Sequence, residues 1–156
     1  MAKTTIIAQP GKQEVFETRV FDAPRELVFK LYMDPNLRSQ WWGPASLTTQ
    51  VEVMDVRPGG IWRIVQHDPE GNEFGFHGVF HLIDAPARVV QTFEFEGMPG
   101  HVLLETVLFE ALDGKTKLTA QSVFQSVEDR DGMIQSGMEQ GSSESMDRLQ
   151  TLLMKA

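Results

Sequence analysis

Over residues 47–124 the chain alternates apolar and polar side chains in short runs, the period of half-buried β-strands. The runs cover 47–56, 61–67, 74–83, 88–95, 102–112 and 115–124. Turn residues separate them: Arg57-Pro58-Gly59-Gly60, Asp68-Pro69-Glu70-Gly71-Asn72, Asp84-Ala85-Pro86, Gly97-Met98-Pro99-Gly100 and Asp113-Gly114. The last is the strongest hairpin signal in the chain. Links this short demand antiparallel pairing, because parallel neighbours need a crossover of about a dozen residues or more.

The flanks carry a different period. Residues 14–21, with Val15, Thr18, Val20 and Phe21, suit a first strand that ends at Asp22-Ala23-Pro24. Asp22 is the expected helix cap and Pro24 suits a first turn, with Leu27, Val28, Leu31 and Tyr32 following at helical spacing. A second short helix is expected over 35–40, started by Asp34-Pro35 and halted by Trp41-Trp42-Gly43-Pro44. Over 131–155, Ile134, Met138, Gly141, Ser145, Leu149 and Leu152 recur at three and four, which predicts one long amphipathic helix. Its apolar stripe is interrupted by small residues, Gly137, Gly141, Ser142 and Ser145. They leave either close backbone contact or empty volume. Residues 1–12 read as a flexible tail before a single domain over 13–156. The economical fold class is α+β: a curved antiparallel sheet of about six to seven strands wrapped round the C-terminal helix.

Parity assigns the strand faces. Phe74, Phe76, Gly78, Phe80 and Leu82 form one inward set; Val89, Gln91, Phe93 and Phe95 form another. Trp62 and Ile64 oppose Arg63, and Leu118, Ala120, Ser122 and Phe124 oppose Lys115 and Lys117. With Glu110 facing solvent, Leu103, Glu105, Val107 and Phe109 face inward. These sets point at Met138, Ser142, Ser145 and Leu149 of the helix. A carboxylate among aromatics would carry a raised pKa and could serve as acid or base. Alternatively, Glu105 lies at the sheet's open end, paired with a solvated cation. Trp41 and Trp42 are placed at the mouth of the resulting concavity, where a ligand or a neighbouring subunit would cover them.

Composition narrows the chemistry. The 156 residues are 41% hydrophobic with no cysteine, which removes disulfides, thiolate metal sites and thiol nucleophiles. A net charge of −8 opposes nucleic-acid and membrane-surface roles. No run approaches the roughly 18 apolar residues of a membrane span. Residues 1–13 lack a leader's charged-then-apolar pattern, so the cytoplasm is the expected compartment. His77 and His81 on one strand stand roughly 13 Å apart, too far to share an ion, and no metal or cofactor is expected. Gly141-Ser142-Ser143-Glu144-Ser145 lacks the strand-turn setting of a nucleophile elbow. What stands out is ten Phe, three Trp and eight Met beside one Tyr, a surplus for a core or a cavity.

Trp41-Trp42-Gly43-Pro44, the run Asp55-Val56-Arg57-Pro58-Gly59-Gly60 into Trp62-Arg63, Asp68-Pro69-Glu70-Gly71, Gly78-Val79-Phe80, and Gly137-Met138-Glu139-Gln140-Gly141 through Asp147-Arg148-Leu149 together resemble one family. It is the START-like (SRPBCC, Bet v 1-like) branch of homologues of the C-terminal domain of the heat-shock protein 90 ATPase activator. The resemblance implies a helix-grip fold with a cavity between sheet and long helix, and no assigned reaction. The eukaryotic activator's separate chaperone-binding domain is not among these residues. Many relatives have Trp where this chain has Ser142, which would leave the cavity larger or more polar.

Three functional readings follow. The first is a binding domain for a small apolar or aromatic ligand, lined by Trp41, Trp42, Trp62, Phe76, Phe80, Gln91, Phe93, Phe95, Val107, Phe109, Ser122, Met138, Ser142 and Ser145. The second is a cavity enzyme of cyclase, hydrolase or dehydratase type, with Glu105 and Tyr32 as its acid-base candidates. The third is a protein-interaction module, a chaperone partner or a homodimer, presenting an exposed patch at Trp41 and Trp42.

Overall fold

Hairpin-length links fix the order of the sheet. The computed structural model describes residues 2–156. Its elements are β1 (Thr5–Ile7), β2 (Glu14–Phe21), α1 (Arg25–Tyr32), α2 (Arg38–Trp41), β3 (Thr48–Met54), β4 (Ile61–His67), β5 (Glu73–Asp84), β6 (Arg88–Phe95), β7 (Val102–Leu112), β8 (Lys115–Val123), α3 (Val127–Gln135) and α4 (Met138–Lys155). The strands form one antiparallel sheet in the order β1-β2-β8-β7-β6-β5-β4-β3. The meander from β3 to β8 thus returns its last strand to the side of β2, setting Glu17 opposite Ala120 and Phe21 opposite Thr116. Bulges between Val51 and Val53 and between Phe80 and Leu82 interrupt the register, a device that bends a sheet.

The expected α+β helix-grip architecture is present, with four local departures. Residues 5–7, expected within a loose tail, form β1 and pair with 16–18 of β2, giving eight strands. The long helix is two helices. Gly137 adopts φ 91°, a left-handed conformation that glycine takes without a Cβ clash. Just before it the Ser136 hydroxyl donates to the Met133 carbonyl at 2.6 Å, and α4 starts afresh. The α1 cap is Pro24, not Asp22, whose exposed carboxylate lies 4.0 Å from Lys115. The second helix spans only Arg38–Trp41, because Asp34 folds 34–36 into a turn by accepting from the Asn36 amide at 2.8 Å.

The core lies between sheet and helices. Phe21, Ile64, Phe80, Val89, Val107, Phe109 and Leu118 of the sheet pack with Val28 and Leu31 of α1 and Met146, Leu149 and Leu153 of α4. A smaller cluster of Val15, Leu103 and Phe124 meets Met133, Ile134 and Met138. The bulge after Phe80 flips parity, so Ile83 rather than Leu82 packs on the core. Among the described residues no helix is long and apolar enough to cross a membrane.

Candidate functional site

Tight packing does not continue along the whole inner face. Between the sheet and the N-terminal half of α4 lies a hollow of about 360 Å³. It continues into a wider one of about 690 Å³ towards α3, the two sharing Phe76, Phe93, Leu103, Phe124 and Met133 on their walls. The small residues Gly141, Ser142 and Ser145 face this space. They leave volume where a helix normally places large apolar side chains.

One wall is aromatic. Phe76 lies 5.5 Å from Phe93 and 5.3 Å from Trp42 between ring centroids, and Trp62 is 5.9 Å from Phe93. Phe95 stacks 5.3 Å from Phe76 and lines only the wider hollow. These separations favour edge and offset contacts between rings. Trp62 reaches its place because residue 78 is glycine: a Cβ there would come within 2.6 Å of Trp62 Nε1.

The loop that carries Trp42 is clamped to α4. The Gly43 amide donates to Ser145 Oγ at 2.8 Å, Arg148 Nη1 donates to the Gly43 carbonyl at 2.8 Å, and the Ala45 amide reaches Glu144 at 3.2 Å. Ser145 Oγ also donates to the Gly141 carbonyl at 3.0 Å. Ser145 therefore sits on the wall but positions the loop.

The opposite end is polar. β7 directs Glu105 inward beside Gln91 of β6, and Gln91 Nε2 donates to Glu105 Oε1 at 2.8 Å. β2 places Glu17 one strand further on, across β8. Glu17 is raised to about 7, chiefly because burial disfavours its charged form. A hydrogen bond with Ser142 opposes this rise, while the charge of Glu105 adds to it. Burial raises Glu105 as well, against the charge of Arg38 and the Gln91 hydrogen bond. Arg38 is buried, donates Nη2 to the Tyr32 carbonyl at 2.7 Å, and lies 5.0 Å from the ring centroids of both Tyr32 and Trp41. Burial lowers the Arg38 guanidinium and pushes the Tyr32 hydroxyl above its ordinary range, so Tyr32 stays protonated.

Most of the expected lining residues meet here: Trp42, Trp62, Phe76, Phe80, Gln91, Phe93, Ser122, Met138 and Ser142 all face the hollow, together with Glu105 and Tyr32. Three differ. Val107 and Phe109 are fully packed core, since Phe109 is held 5.0 Å from Phe29 and 5.2 Å from Tyr32. Trp41 touches the hollow but is 1% exposed and stacked 4.8 Å from Tyr32, so it is not an exposed mouth residue. Glu17 was not anticipated. Its signal was available in Val15 and Phe21, six positions apart on one face, which carry Glu17 and Arg19 inward with them. Arg19 turns its Nη1 away to Asp147 at 2.7 Å. On the outer face, His77 pairs with Glu96 at 2.8 Å, and hydrogen bonds from Arg63 and His77 hold Glu96 down at about 2.

The family described as "Activator of Hsp90 ATPase homolog 1-like protein" matches residues 22–154. Among solved structures, a Rhodobacter sphaeroides protein superposes with TM-score 0.90 at 24% identity, over 99% of this chain and 99% of that one. An Arthrobacter aurescens protein gives 0.88 at 25% identity, over 97% and 92%. A Mycobacterium smegmatis protein gives 0.87 at 24%, over 96% of both. No curated protein matches the chain.

Proposed function

The chain belongs to the activator of Hsp90 ATPase homolog 1-like family, and on that premise we propose that it binds a small, largely aromatic molecule between the sheet and α4. The observation that carries this reading is the aromatic-walled hollow of about 360 Å³, which continues into the wider one towards α3 beside an otherwise packed core. Ligand sites occupy roughly 300–1,000 Å³ and combine apolar walls with a few polar groups. An aromatic ring buries about 150–250 Å². At about 25 cal/mol per Å² that gives roughly 4–6 kcal/mol before the cost of immobilisation. The cytoplasm is the compartment proposed for this activity.

Two measurements test it. Native mass spectrometry of protein from its own host should show a retained small molecule. Naphthalene should shift the intrinsic fluorescence saturably, because all three tryptophans touch the hollow. Ser142→Trp should fill the space and remove that response while the protein stays folded. A wild-type protein with neither a retained molecule nor a saturable response would end the proposal.

A second reading, acid-base chemistry in the same hollow, is favoured by the proximity of Glu105 to Glu17. Glu105→Gln should then abolish turnover of the co-purifying compound without preventing its binding.

A further inference from the structure

Three acceptors converge on the polar end of the hollow. Gln91 is 5% exposed; it gives its amide N–H to Glu105, and its Oε1 is buried with no partner. Leaving such an acceptor unpaired costs free energy that a donor from a ligand would recover. Glu105 and Glu17 bring carboxyls to the same end, facing Ser122 and Ala120 from either side of β8.

No cation forms a direct ion pair with either carboxyl, although Arg19 keeps Nε and Nη2 unpartnered behind Glu17 and Arg38 acts on Glu105 by its charge. Arg19 does not reach the wall; its Nη1 is held by Asp147 at 2.7 Å and Thr4 Oγ1 at 3.2 Å. Arg38 faces Glu105, yet its Nη2 goes to the Tyr32 carbonyl. The unpartnered Arg38 Nε and Trp41 Nε1 belong to the stacked layer of Tyr32, Arg38 and Trp41. Trp62 Nε1 rests against Gly78 of the sheet.

We propose that the molecule held here is a small aromatic amine, its ammonium donating to Glu17, Glu105 and Gln91 Oε1 and its ring packed among Trp62, Phe76 and Phe93. This deepens the cavity-binding reading and rests on it. The span fits: Phe93 lies two residues from Gln91 on the same face, roughly 7 Å along the strand. A short alkyl arm between ring and nitrogen falls within that spacing. Ring faces beside the carboxyls add their own attraction for a cation.

Charge balance supports the assignment. The titratable groups on the wall are Glu17 from β2, Glu105 from β7, Tyr32 from α1 and Arg38 from α2. With Tyr32 neutral, the carboxyls of Glu17 and Glu105 share the wall with the Arg38 guanidinium, and the Arg19 charge acts on Glu17 from behind it. An ammonium would supply the Glu17 carboxylate with a cationic partner; without one, Glu17 holds its proton up to about pH 7. Below about pH 7, binding of the amine therefore releases that proton.

The test uses three matched probes on the full chain: phenethylamine, propylbenzene and phenylpropionate. Tryptophan fluorescence gives affinity, and calorimetry in two buffers of different ionisation enthalpy gives proton release. Phenethylamine should bind at least about tenfold tighter than propylbenzene near pH 8, with phenylpropionate weakest. Between about pH 8 and pH 6 its affinity should fall about tenfold, while that of propylbenzene stays flat. Glu17→Gln should erase the preference for the amine and retain propylbenzene binding, which also reports that the variant is folded. Equal affinity for phenethylamine and propylbenzene, or tighter phenylpropionate, overturns the amine assignment and leaves the aromatic cavity standing. No saturable binding of any probe removes both.

Discussion

Glu17 and Glu105 face the same interior from either side of β8, one opposite Ala120 and the other opposite Ser122. The negative charge of Glu105 adds to the effect of burial on Glu17 and carries its carboxyl to about 7. The unfolded chain releases this proton near 4.5, so between the two values the native state holds more protons than the unfolded one. The contribution of Glu17 to stability is therefore fully present below 4.5, falls as pH rises towards about 7, and is flat beyond. The interval amounts to on the order of 3 kcal/mol. Glu17→Gln removes the ionisation, so urea unfolding should show the variant gaining on wild type as pH rises from about 5 to about 8. Parallel curves for the two proteins over that range would contradict the assignment.

The strands from β3 to β8 were legible because their turns carry strong chemistry and their inner faces are apolar at period two. Phe76, Phe93 and Trp62 could be aimed by parity alone. Glu17 was not, because β2 places two charged residues inside and Val20 outside, which inverts the usual pattern. The break at Gly137 was hidden by an apolar stripe that continues from α3 into α4, although the glycine itself marks the stop. Val107 and Phe109 share the inward face with Glu105 but sit beneath α1, and strand parity holds no information on where a helix covers a sheet.

Ser145 holds the Trp42 loop through the Gly43 amide at 2.8 Å. Ser145→Ala leaves that donor without its partner, a loss of about 1–3 kcal/mol where water cannot replace it. Thermal unfolding should register the loss. The emission of Trp42 should shift as its contact with Phe76 loosens, whereas Ser143→Ala should change neither.

Gly78 lets Trp62 lie flat against β5. A Cβ at 78 would meet both Trp62 Nε1 at 2.6 Å and the Thr92 carbonyl. The carbonyl belongs to the ladder with β6 and cannot move without breaking strand pairing. Gly78→Ala should destabilise by about 1–3 kcal/mol, the usual cost of overpacking. It should also displace Trp62 and weaken binding of an aromatic probe. An unchanged melting temperature would show that the strand yields at this point.

Phe109 and Phe93 both point inward, yet one fills the core and the other walls the hollow, so truncating each should have opposite signatures. Phe109 is 1% exposed and held between Phe29 and Tyr32. Phe109→Ala should cost about 3–5 kcal/mol, since the surrounding rings cannot close the cavity. Phe93 borders open volume on both hollows, where its neighbours already lack full packing. Phe93→Ala should cost less stability than Phe109→Ala and remove most of the affinity for an aromatic probe. Denaturant unfolding and probe titration on the two variants separate the effects. If Phe93→Ala proves as destabilising as Phe109→Ala and leaves probe affinity intact, the aromatic wall is core, not a ligand surface.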